Sequence, residues 1–224
     1  MTVPEAITID GPASSGKSTV GAILARDLNY LYFDTGVMYR AVTLGVLQSN
    51  ISMLEESRIT TLAENVMIDI KPPSKEDTRQ YDVLLNGVDV TWKIRTREVD
   101  QHVSQVSAYA GVRKAMTYQQ RQIGLRGKVV MVGRDIGTIV LPEAKLKIYL
   151  DASAEVRAMR RYQELINRGE QASYENILAG LRKRDEIDST RKIAPLKPAE
   201  DALIIDTDQM TVQEVVERIK AEIR

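Results

Sequence analysis

One residue after the apolar run Ala6–Ile9, the chain reads Gly11-Pro12-Ala13-Ser14-Ser15-Gly16-Lys17-Ser18. This spacing of glycines before Lys and Ser is typical of a loop that turns backbone N–H groups toward phosphate oxygens, between a strand and a helix. Lys17 would supply positive charge to a nucleoside triphosphate, and Ser18 would bind the accompanying metal ion. An ordinary glycine-containing turn is the alternative. Because Ser14 stands where a glycine would be freer, we expect ordinary dihedral angles there.

Four further apolar runs resemble the first, and a segment with helical periodicity follows each of them. The runs are Tyr30–Phe33, Val129–Val132, Leu146–Leu150 and Leu203–Ile205. Strands buried on both faces read as nearly continuous apolar runs, and their alternation with helices is typical of a parallel sheet. The predicted fold class is therefore α/β, a P-loop NTPase core with a central five-stranded parallel sheet flanked by helices. The first helix should run from Lys17 to about Leu28.

Two regions depart from this alternation. Residues 66–94 contain Asn86-Gly87 between apolar runs, which is a strong signal for a hairpin turn, so we predict a small antiparallel β insert with Trp92 in its core. A helical pattern then runs from residue 97 to about 124. Residues 153–191 are mostly helical and rich in Arg, and Gly169 predicts a break between two helices there. The last segment, 211–224, reads as a closing helix capped by Thr211.

Charge and cysteine content exclude several classes of protein. The 224 residues include 31 Lys plus Arg, 31 Asp plus Glu and no Cys. Balanced charge argues against gripping nucleic acid or an anionic membrane through an overall field, and the lack of Cys excludes disulfides and thiolate sites. No stretch approaches the roughly 20 apolar residues of a membrane helix. We therefore expect one cytoplasmic domain with no nucleic-acid or membrane partner. We also expect a monomer that acts on small molecules.

Charged residues follow two of the predicted strands, at the edge where parallel sheets bind ligands. Asp34 follows the second run, and Arg134 and Asp135 follow the third between glycines. A glycine-flanked Arg-Asp pair beside a triphosphate site suits an anionic second substrate. A surface turn whose two charges pair with each other is the alternative.

The 153–191 region repeats charged residues at helical spacing. They are Arg157, Arg160 and Arg161, followed by Arg184, Asp188 and Arg191. An exposed helix face joined by ion pairs is one explanation of this pattern. The choice of Arg over Lys favours forked recognition of phosphate by a mobile, arginine-bearing lid.

The single histidine, His102, has no partner in sequence that would make it part of a triad. An acceptor hydroxyl would require a positioned base, whereas a phosphate monoester is already largely ionised near neutral pH. Many arginines and no obvious base therefore favour phosphate as the nucleophile. Asp34 or Asp135 could still serve as a base, so a hydroxyl acceptor is also open.

Eight motifs along the chain are jointly far more specific than the phosphate loop alone. They are Gly11–Thr19, Asp34–Arg40, Ile94–Val99, Ser104–Ser107, Val112-Arg113, Gly133–Thr138, Arg184-Asp185 with Asp188 and Arg191, and Ala194–Leu196. In this set the chain resembles the bacterial-type cytidylate kinases, which are nucleoside-monophosphate kinases. The resemblance implies a kinase core at 1–65, 95–152 and 192–224, an acceptor-side insert at 66–94 and a lid at 153–191.

The resemblance also implies a reaction, a cofactor and site residues. ATP would pass its terminal phosphoryl group directly to CMP or dCMP, giving CDP or dCDP, with Mg²⁺ held by Ser18, phosphates and water. The ATP phosphates would contact Gly11, Pro12, Ala13, Ser14, Ser15, Gly16, Lys17, Ser18 and Thr19. The CMP site would comprise Thr35, Arg40, Ser104, Arg113, Arg134, Asp135, Arg184, Asp188 and Arg191. The catalytic set would be Lys17, Arg134, Arg157, Arg161 and Arg191.

Within the implied CMP site, the residues divide by the part of the nucleotide they meet. Cytosine would contact Ser104, Arg113 and Asp135; ribose would contact Arg184 and Asp188; the phosphate would contact Arg40, Arg134 and Arg191. A carboxylate can accept from the exocyclic amine of cytosine, whereas the uracil carbonyl would face it as a second acceptor.

Two positions depart from the family pattern. Thr35 stands where Ser is common, which adds a methyl group to the pocket. Val132 stands where an acidic residue usually precedes Gly-Arg-Asp, so metal binding must rely more on Ser18, the phosphates and either Asp34 or Asp10. We predict that magnesium binding by the protein's own residues contributes less to activity here, and that activity is not lost.

Three other functions remain open from the residues. The same core could phosphorylate UMP, another nucleotide or an alcohol. A GTPase-like switch would need a guanine-reading Asn-Lys-x-Asp stretch, and no Asn in this chain precedes Lys. A non-catalytic nucleotide-binding module would bind ATP without turnover.

Overall fold

The computed structural model describes residues 3–223 and contains a five-stranded parallel sheet with strand order β2-β6-β1-β7-β8. This arrangement confirms the predicted α/β fold class. The five strands are β1 (Ala6–Asp10), β2 (Leu31–Asp34), β6 (Val129–Gly133), β7 (Leu146–Asp151) and β8 (Leu203–Asp206). A second, antiparallel sheet contains β3 (Ile68–Lys71), β4 (Asp82–Leu85) and β5 (Val88–Asp89).

Eight helices accompany the sheets within residues 3–223. They are α1 (Lys17–Leu28), α2 (Gly36–Gln48), α3 (Glu56–Asn65), α4 (Arg97–Val106), α5 (Ala110–Gly124), α6 (Ala154–Asn167), α7 (Tyr174–Thr190) and α8 (Val212–Ile223). The bounds of α1 agree with the prediction. Thr211 caps α8 as expected, since its hydroxyl accepts from the Glu214 amide at 3.3 Å and the Glu214 carboxylate accepts from the Thr211 amide at 2.7 Å. Arg224, the last residue of the predicted closing helix, lies outside the described residues.

The five parallel strands each extend one residue beyond the apolar run, onto a residue that is charged or glycine. These last residues are Asp10, Asp34, Gly133, Asp151 and Asp206. In the register of the sheet, Asp10 is opposite Gly133 on one side and Tyr149 on the other. The polar ends of neighbouring strands thus meet at the carboxyl edge, where a bound ligand would lie.

The small antiparallel sheet folds around the predicted hairpin. Asn86 and Gly87 have φ angles of 50° and 80°, as a two-residue turn of this hand requires. Beside the hairpin, the Arg79 guanidinium is buried and donates to Asp77 at 2.7 Å, Asp82 at 2.8 Å and Asp89 at 2.9 Å. Charge pairing therefore supplements a small apolar core in this sheet.

Three local predictions were wrong. Trp92 is 47% exposed instead of buried, because its ring NH donates to Asp77 at 2.9 Å and the Arg95 guanidinium stacks over it. The helix expected over residues 97–124 is broken at 107–109 into α4 and α5. A full helix does not follow β6, since a single π-helical turn, Ile136–Val140, leads into β7.

The lid region contains two helices, α6 and α7, which pack against each other. Gly169 lies between them with a φ of 75°, as the predicted break requires. Ser153 and Ser173 cap the two helices by accepting backbone N–H bonds at 3.3 Å. Across residues 3–223, none of the helices combines the length and apolar character needed to cross a bilayer.

Candidate active site

The phosphate loop joins β1 to α1 and has three residues with positive φ. Gly11, Ser14 and Gly16 have φ angles of 147°, 61° and 94°. The expectation of ordinary dihedral angles at Ser14 was therefore wrong, because the tight turn of the loop imposes a left-handed conformation that glycine adopts more readily. Gly11 is required sterically as well, since a Cβ there would lie 2.1 Å from the Leu150 carbonyl oxygen.

Lys17 begins α1 and points back into the phosphate loop. Its ammonium donates to the Pro12 carbonyl and to the Ser15 hydroxyl, the latter at 3.3 Å, and the residue is only 5% exposed. Burial lowers the pKa of Lys17 well below its usual value, and the positive charge of Arg134 lowers it further. A bound phosphate would offset both effects by pairing with the ammonium, so the geometry suits an anion at this position.

An oxygen pair lies at the start of α1. The Ser18 hydroxyl donates to Asp34 Oδ2 at 3.2 Å, which brings the predicted metal ligand against the carboxylate that ends β2. Within residues 3–223, no three His, Cys, Asp or Glu side chains cluster as metal ligands. These residues fit a Mg²⁺ ion held by one hydroxyl and one carboxylate, with phosphates and water completing its shell.

The two other positions considered for metal binding contribute nothing to this pair. Val132 is 1% exposed and its methyl group packs against Gly21 of α1. Both carboxylate oxygens of Asp10 accept backbone N–H bonds inside the protein, at 2.9 Å from Ile136 and 2.7 Å from Gly137. Both oxygens of Asp10 are thus engaged inside the protein, whereas Asp34 lies beside Ser18 and is the better placed of the two for a metal ion.

A cavity of about 660 Å³ opens on the outer side of the phosphate loop. It is lined by residues 14–20 together with Arg160, Arg161, Thr207, Met210 and Val215. The Arg160 guanidinium is held by Thr207, donating to its hydroxyl at 3.1 Å and its carbonyl at 2.5 Å. The sequence did not predict that residues 207–215 line this cavity, because only the tertiary fold places α8 beside the phosphate loop.

Arg161 also lines this cavity, but its side chain has a different partner from that of Arg160. Its guanidinium pairs with Glu164 at 2.7 Å and is 41% exposed. Release of this surface pair would free the guanidinium toward the loop, because exposed pairs of this kind are weak.

On the inner side of the phosphate loop, arginines and aspartates from α5, from the turn after β6 and from the end of α7 form one network. Arg134 donates to Asp188 at 3.0 Å, and Arg191 pairs with both Asp188 and Asp135 at 3.4 Å. Arg113 donates to the other oxygen of Asp135 at 2.8 Å. The alternative that Arg134 and Asp135 pair with each other in a surface turn is contradicted, since each pairs with a distant element.

The network also approaches Lys17. Arg134 and Arg184 both lower the pKa of Lys17 through their positive charge, and Arg184 lies 3.9 Å from Asp188. Burial and the guanidinium of Arg113 lower the pKa of Arg191. Cations crowded in this way are stabilised by an added anion, which indicates a phosphate site between the network and the loop.

Arg40 enters the cleft from α2. It pairs with Asp100 at 2.6 Å and donates to the Ile94 carbonyl at 3.1 Å, while its positive charge lowers the pKa of Arg184. Arg134 and Arg184 thus lie close enough to influence the charge of Lys17, and both share Asp188 with Arg191.

Two residues assigned to the CMP site have no contact with this network. Ser104 is exposed in the last turn of α4, where its carbonyl accepts from Ser107 at 3.1 Å. Thr35 is 4% exposed and its hydroxyl donates to the Val132 carbonyl at 3.0 Å. That hydroxyl therefore donates to β6 in this structure, and it is available to a ligand only as an acceptor.

Arg157 differs most from its assigned role in phosphate transfer. Its side chain is 4% exposed and pairs with Asp185 of α7 at 2.5 Å. It also donates to the Ala13 carbonyl at 3.2 Å and the Ala152 carbonyl at 2.9 Å. Since all these bonds would have to break before Arg157 reached a phosphate, the structure shows it as a brace between α6, α7 and the phosphate loop.

Comparison with known proteins places these features in a family. A family model described as cytidylate kinase matches residues 7–224. The cytidylate kinase of Chloroflexus aggregans is 50% identical and aligns over 96% of this chain and 92% of its own. Those of Herpetosiphon aurantiacus and Bacillus subtilis are 48% and 46% identical over 98% and 95% of this chain, and 94% and 93% of their own.

Solved structures with similar folds are distant in sequence. An uncharacterized protein from Eubacterium ventriosum aligns over 97% of both chains with a TM-score of 0.50 and 11% identity. A shikimate kinase from Bacteroides thetaiotaomicron aligns over 97% of both chains with a TM-score of 0.49 and 12% identity. Such low identities say nothing about this chain beyond its fold. The family model and the sequence relatives, in contrast, match nearly the whole chain and therefore show its family. The chain belongs to the cytidylate kinase family.

Proposed function

We propose that this protein transfers the terminal phosphoryl group of ATP to CMP and dCMP, giving ADP with CDP or dCDP. Membership of the cytidylate kinase family supports the reaction class and the acceptor. The structural observation that supports it best is the arginine network beside Lys17, because it offers several forked cations to two facing phosphates. The predictions of a monomer and of a cytoplasmic location stay predictions.

The residues present support direct in-line transfer, with no covalent enzyme intermediate. Lys17 and the loop amides would hold the donor phosphates, and Arg134 and Arg191 would hold the acceptor phosphate against them. Mg²⁺, when bound near Ser18 and Asp34, would neutralise charge on the donor phosphates. The barrier is then lowered by positioning and positive charge, and no general base is needed for an ionised phosphate.

Cytosine selection would depend on Asp135 and its partners. Arg113 is 3% exposed, stacks over the Tyr39 ring at 5.4 Å and fixes one oxygen of Asp135. A carboxylate held in this way can accept from the exocyclic amine of cytosine, and uracil would present a carbonyl there instead. We infer that Ser104 completes the contact to the base.

The cavity on the outer side of the loop supports a place for the donor base. It lies next to residues 14–20 and is bordered by the planar guanidinium of Arg160, which Thr207 holds in position. A flat cation of this kind can stack on an adenine ring. The donor and acceptor would therefore approach the phosphate loop from opposite sides.

An assay with ATP and a panel of acceptors tests the reaction. We expect turnover with CMP and dCMP to exceed turnover with UMP, AMP and simple alcohols, and ADP to appear only when an acceptor is present. Equal turnover with UMP or AMP would contradict the assigned acceptor. ADP formation that needs no acceptor would contradict a kinase, and binding of ATP without any product would indicate a non-catalytic module.

Variants of the acceptor arginines test the proposed site. Arg134→Ala and Arg191→Ala should lower turnover by a factor on the order of 10³ if these groups touch the transferring phosphoryl. Arg58→Ala, which removes an exposed arginine paired with Glu55, is the matched control and should keep full turnover. If folded Arg134→Ala and Arg191→Ala proteins keep full turnover, both arginines are structural.

A further inference from the structure

We propose that Asp10 is a positioning residue, which holds the Arg134-Asp135 turn against the end of β1 and so fixes the acceptor site relative to the phosphate loop. The inference rests on the proposed acceptor role of Arg134 and Asp135. It assigns a function to a buried carboxylate that the proposed reaction does not otherwise use.

The contacts of Asp10 are unusually complete for a residue at the end of a strand. Oδ1 accepts from the Ile136 amide at 2.9 Å and Oδ2 accepts from the Gly137 amide at 2.7 Å, and the residue is 4% exposed. These two amides belong to the first residues of the π-helical turn Ile136–Val140, where backbone N–H groups lack partners within the helix. Asp10 supplies both missing acceptors.

The backbone of the turn departs from regular secondary structure. Asp135 has φ and ψ angles of −145° and 25°, outside the regular helix and strand regions, and a π-helical turn follows it at once. Gly137 lies close enough to β1 that a Cβ there would be 3.0 Å from Thr8 Oγ1. The amides of the turn are therefore pressed against the end of β1, where Asp10 receives them.

The position of Asp10 in the chain links the two halves of the site. It directly precedes Gly11, the first residue of the phosphate loop, and its partners directly follow Arg134 and Asp135. One carboxylate thus fixes the distance between the donor loop and the two residues that would hold the acceptor.

The charged groups around Asp10 act in opposite directions. Lys17 from α1 favours the ionised carboxylate, Asp135 from the turn opposes it, and the two amide bonds favour it. Tyr149 of β7 faces the same carboxylate, whose charge raises the pKa of the tyrosine. Burial dominates and raises the pKa of Asp10 to about 6, so the carboxylate is ionised and accepts both bonds at neutral pH.

The test is Asp10→Asn, which keeps the size of the side chain and replaces one acceptor oxygen by an NH₂ group facing a backbone N–H. A buried donor left without an acceptor costs about 1–3 kcal/mol, so we expect the KM for CMP to rise about tenfold or more. Affinity for a non-hydrolysable ATP analogue should stay within about twofold. The Ile136 and Gly137 amides should exchange faster with D₂O.

Two further variants complete the test. Asp151→Asn changes the aspartate at the end of neighbouring β7, whose carboxylate accepts from the Ala152 amide at 2.9 Å, and should leave the affinity for both substrates unchanged. Gly137→Ala should give the same split between CMP and the ATP analogue as Asp10→Asn, because its Cβ pushes the turn away from β1. This second variant keeps the proposal testable if Asp10→Asn does not fold.

Each outcome discriminates. An unchanged KM for CMP in Asp10→Asn, or an equal loss of affinity for both nucleotides, would overturn the positioning role. Arg134→Ala measured alongside separates the two proposals. If Arg134→Ala also leaves the KM for CMP unchanged, the acceptor assignment itself fails; if it raises that KM while Asp10→Asn does not, only the role of Asp10 fails.

Discussion

Lys17 shows how a single residue prepares this site for an anion. Its ammonium is buried against the Pro12 carbonyl and the Ser15 hydroxyl. Burial and the charge of Arg134 both oppose its ionised form. A bound phosphate would favour the charged ammonium by pairing with it, so Lys17→Ala should weaken ATP binding and turnover together.

Ser14 permits a prediction about strain in the phosphate loop. Its φ of 61° destabilises the folded state of an L-residue by about 1–2 kcal/mol relative to glycine. Glycine in turn stabilises the unfolded chain by about 0.5–1 kcal/mol through its greater conformational entropy, which offsets part of that gain. Ser14→Gly should therefore raise the free energy of unfolding by about 0.5–1 kcal/mol, measured by urea titration. Ser49→Gly, at an exposed residue with a φ of −89°, is the control and should lower it. A loss of stability in Ser14→Gly would show that the hydroxyl group outweighs the strain.

Val132 permits a second prediction, on the metal. The side chain packs on Gly21 at the first turns of α1, so an acidic group at this position would lie near Ser18 and Asp34. Val132→Asp should shift the dependence of turnover on free Mg²⁺ to lower concentrations, and Val132→Asn, of equal size and uncharged, should not. Identical magnesium curves for the native protein and Val132→Asp would contradict the idea that the family's carboxylate contributes to metal binding.

At the scale of elements, the β3-β4-β5 sheet is the part most dependent on charge. Hydrogen bonds from the Arg79 guanidinium lower the pKa of Asp77 and Asp89, and hydrogen bonds from Ser74 and then Arg79 lower the pKa of Asp82. A carboxyl group with a lowered pKa in the folded protein stabilises it above the unfolded pKa, near 3.9, and this contribution is lost as the pH falls further.

We therefore expect the insert to open in acid before the parallel sheet does. Between pH 5 and pH 3, amide exchange at residues 68–89, taken relative to an unprotected amide at the same pH, should accelerate while exchange in β1 and β6 stays slow. Arg79→Met should produce the same local exposure already at neutral pH, whereas Arg126→Met, which removes an exposed arginine bonded to Asp69, should not. Uniform acceleration across both sheets would refute a separate role for the charge cluster.

The elements also show what the sequence could predict. Apolar runs located all five parallel strands but missed their last residues, since hydrogen bonding continues onto polar Asp10 or Asp34 where hydrophobicity stops. The break between α4 and α5 contains neither Gly nor Pro, and Tyr109 there donates to the Met53 carbonyl at 2.6 Å. A contact over 56 residues of chain set this boundary, and local patterns cannot report it.

At the scale of the whole molecule, Asp10 connects function to stability. Its pKa is raised from 3.8 to about 6 by burial, so the folded protein keeps the proton longer than the unfolded chain does. Stability from this group is complete below pH 4 and falls by about 3 kcal/mol as the pH rises through 6, at 1.36 kcal/mol per pKa unit. The ionised carboxylate of Asp10, which would hold the acceptor site in position, therefore lowers the stability of the folded protein.

Urea unfolding of native protein and Asp10→Asn at several pH values measures this cost. The free energy of unfolding of the native protein, minus that of the variant, should fall by about 3 kcal/mol between pH 4 and pH 7. Asp151→Asn, with an exposed carboxylate, should show no comparable trend. Parallel curves for native protein and Asp10→Asn would show that Asp10 has an ordinary pKa in the fold.

The candidate site was predictable only where its residues lie in motifs. Arg134, Asp135 and Arg191 were assigned from the family resemblance, and the structure brings them within 3.4 Å of shared partners. The outer cavity was not predictable, because Arg160 and Thr207 are ordinary residues until the fold places them side by side. The contacts of Arg157 likewise depend on where α7 packs, which no spacing along α6 reveals.

The brace formed by Arg157 sets a pivot. Because it ties the base of α6 to the Ala13 carbonyl, rotation of that helix leaves its base near the phosphate loop and moves mainly its far end. From Arg157 to Asn167 the helix forms a lever arm of about 15 Å, so a swing of about 20° would carry its tip by about 5 Å. Small rotations of α6 near the phosphate loop would therefore cause larger displacements at Gly169, between α6 and α7.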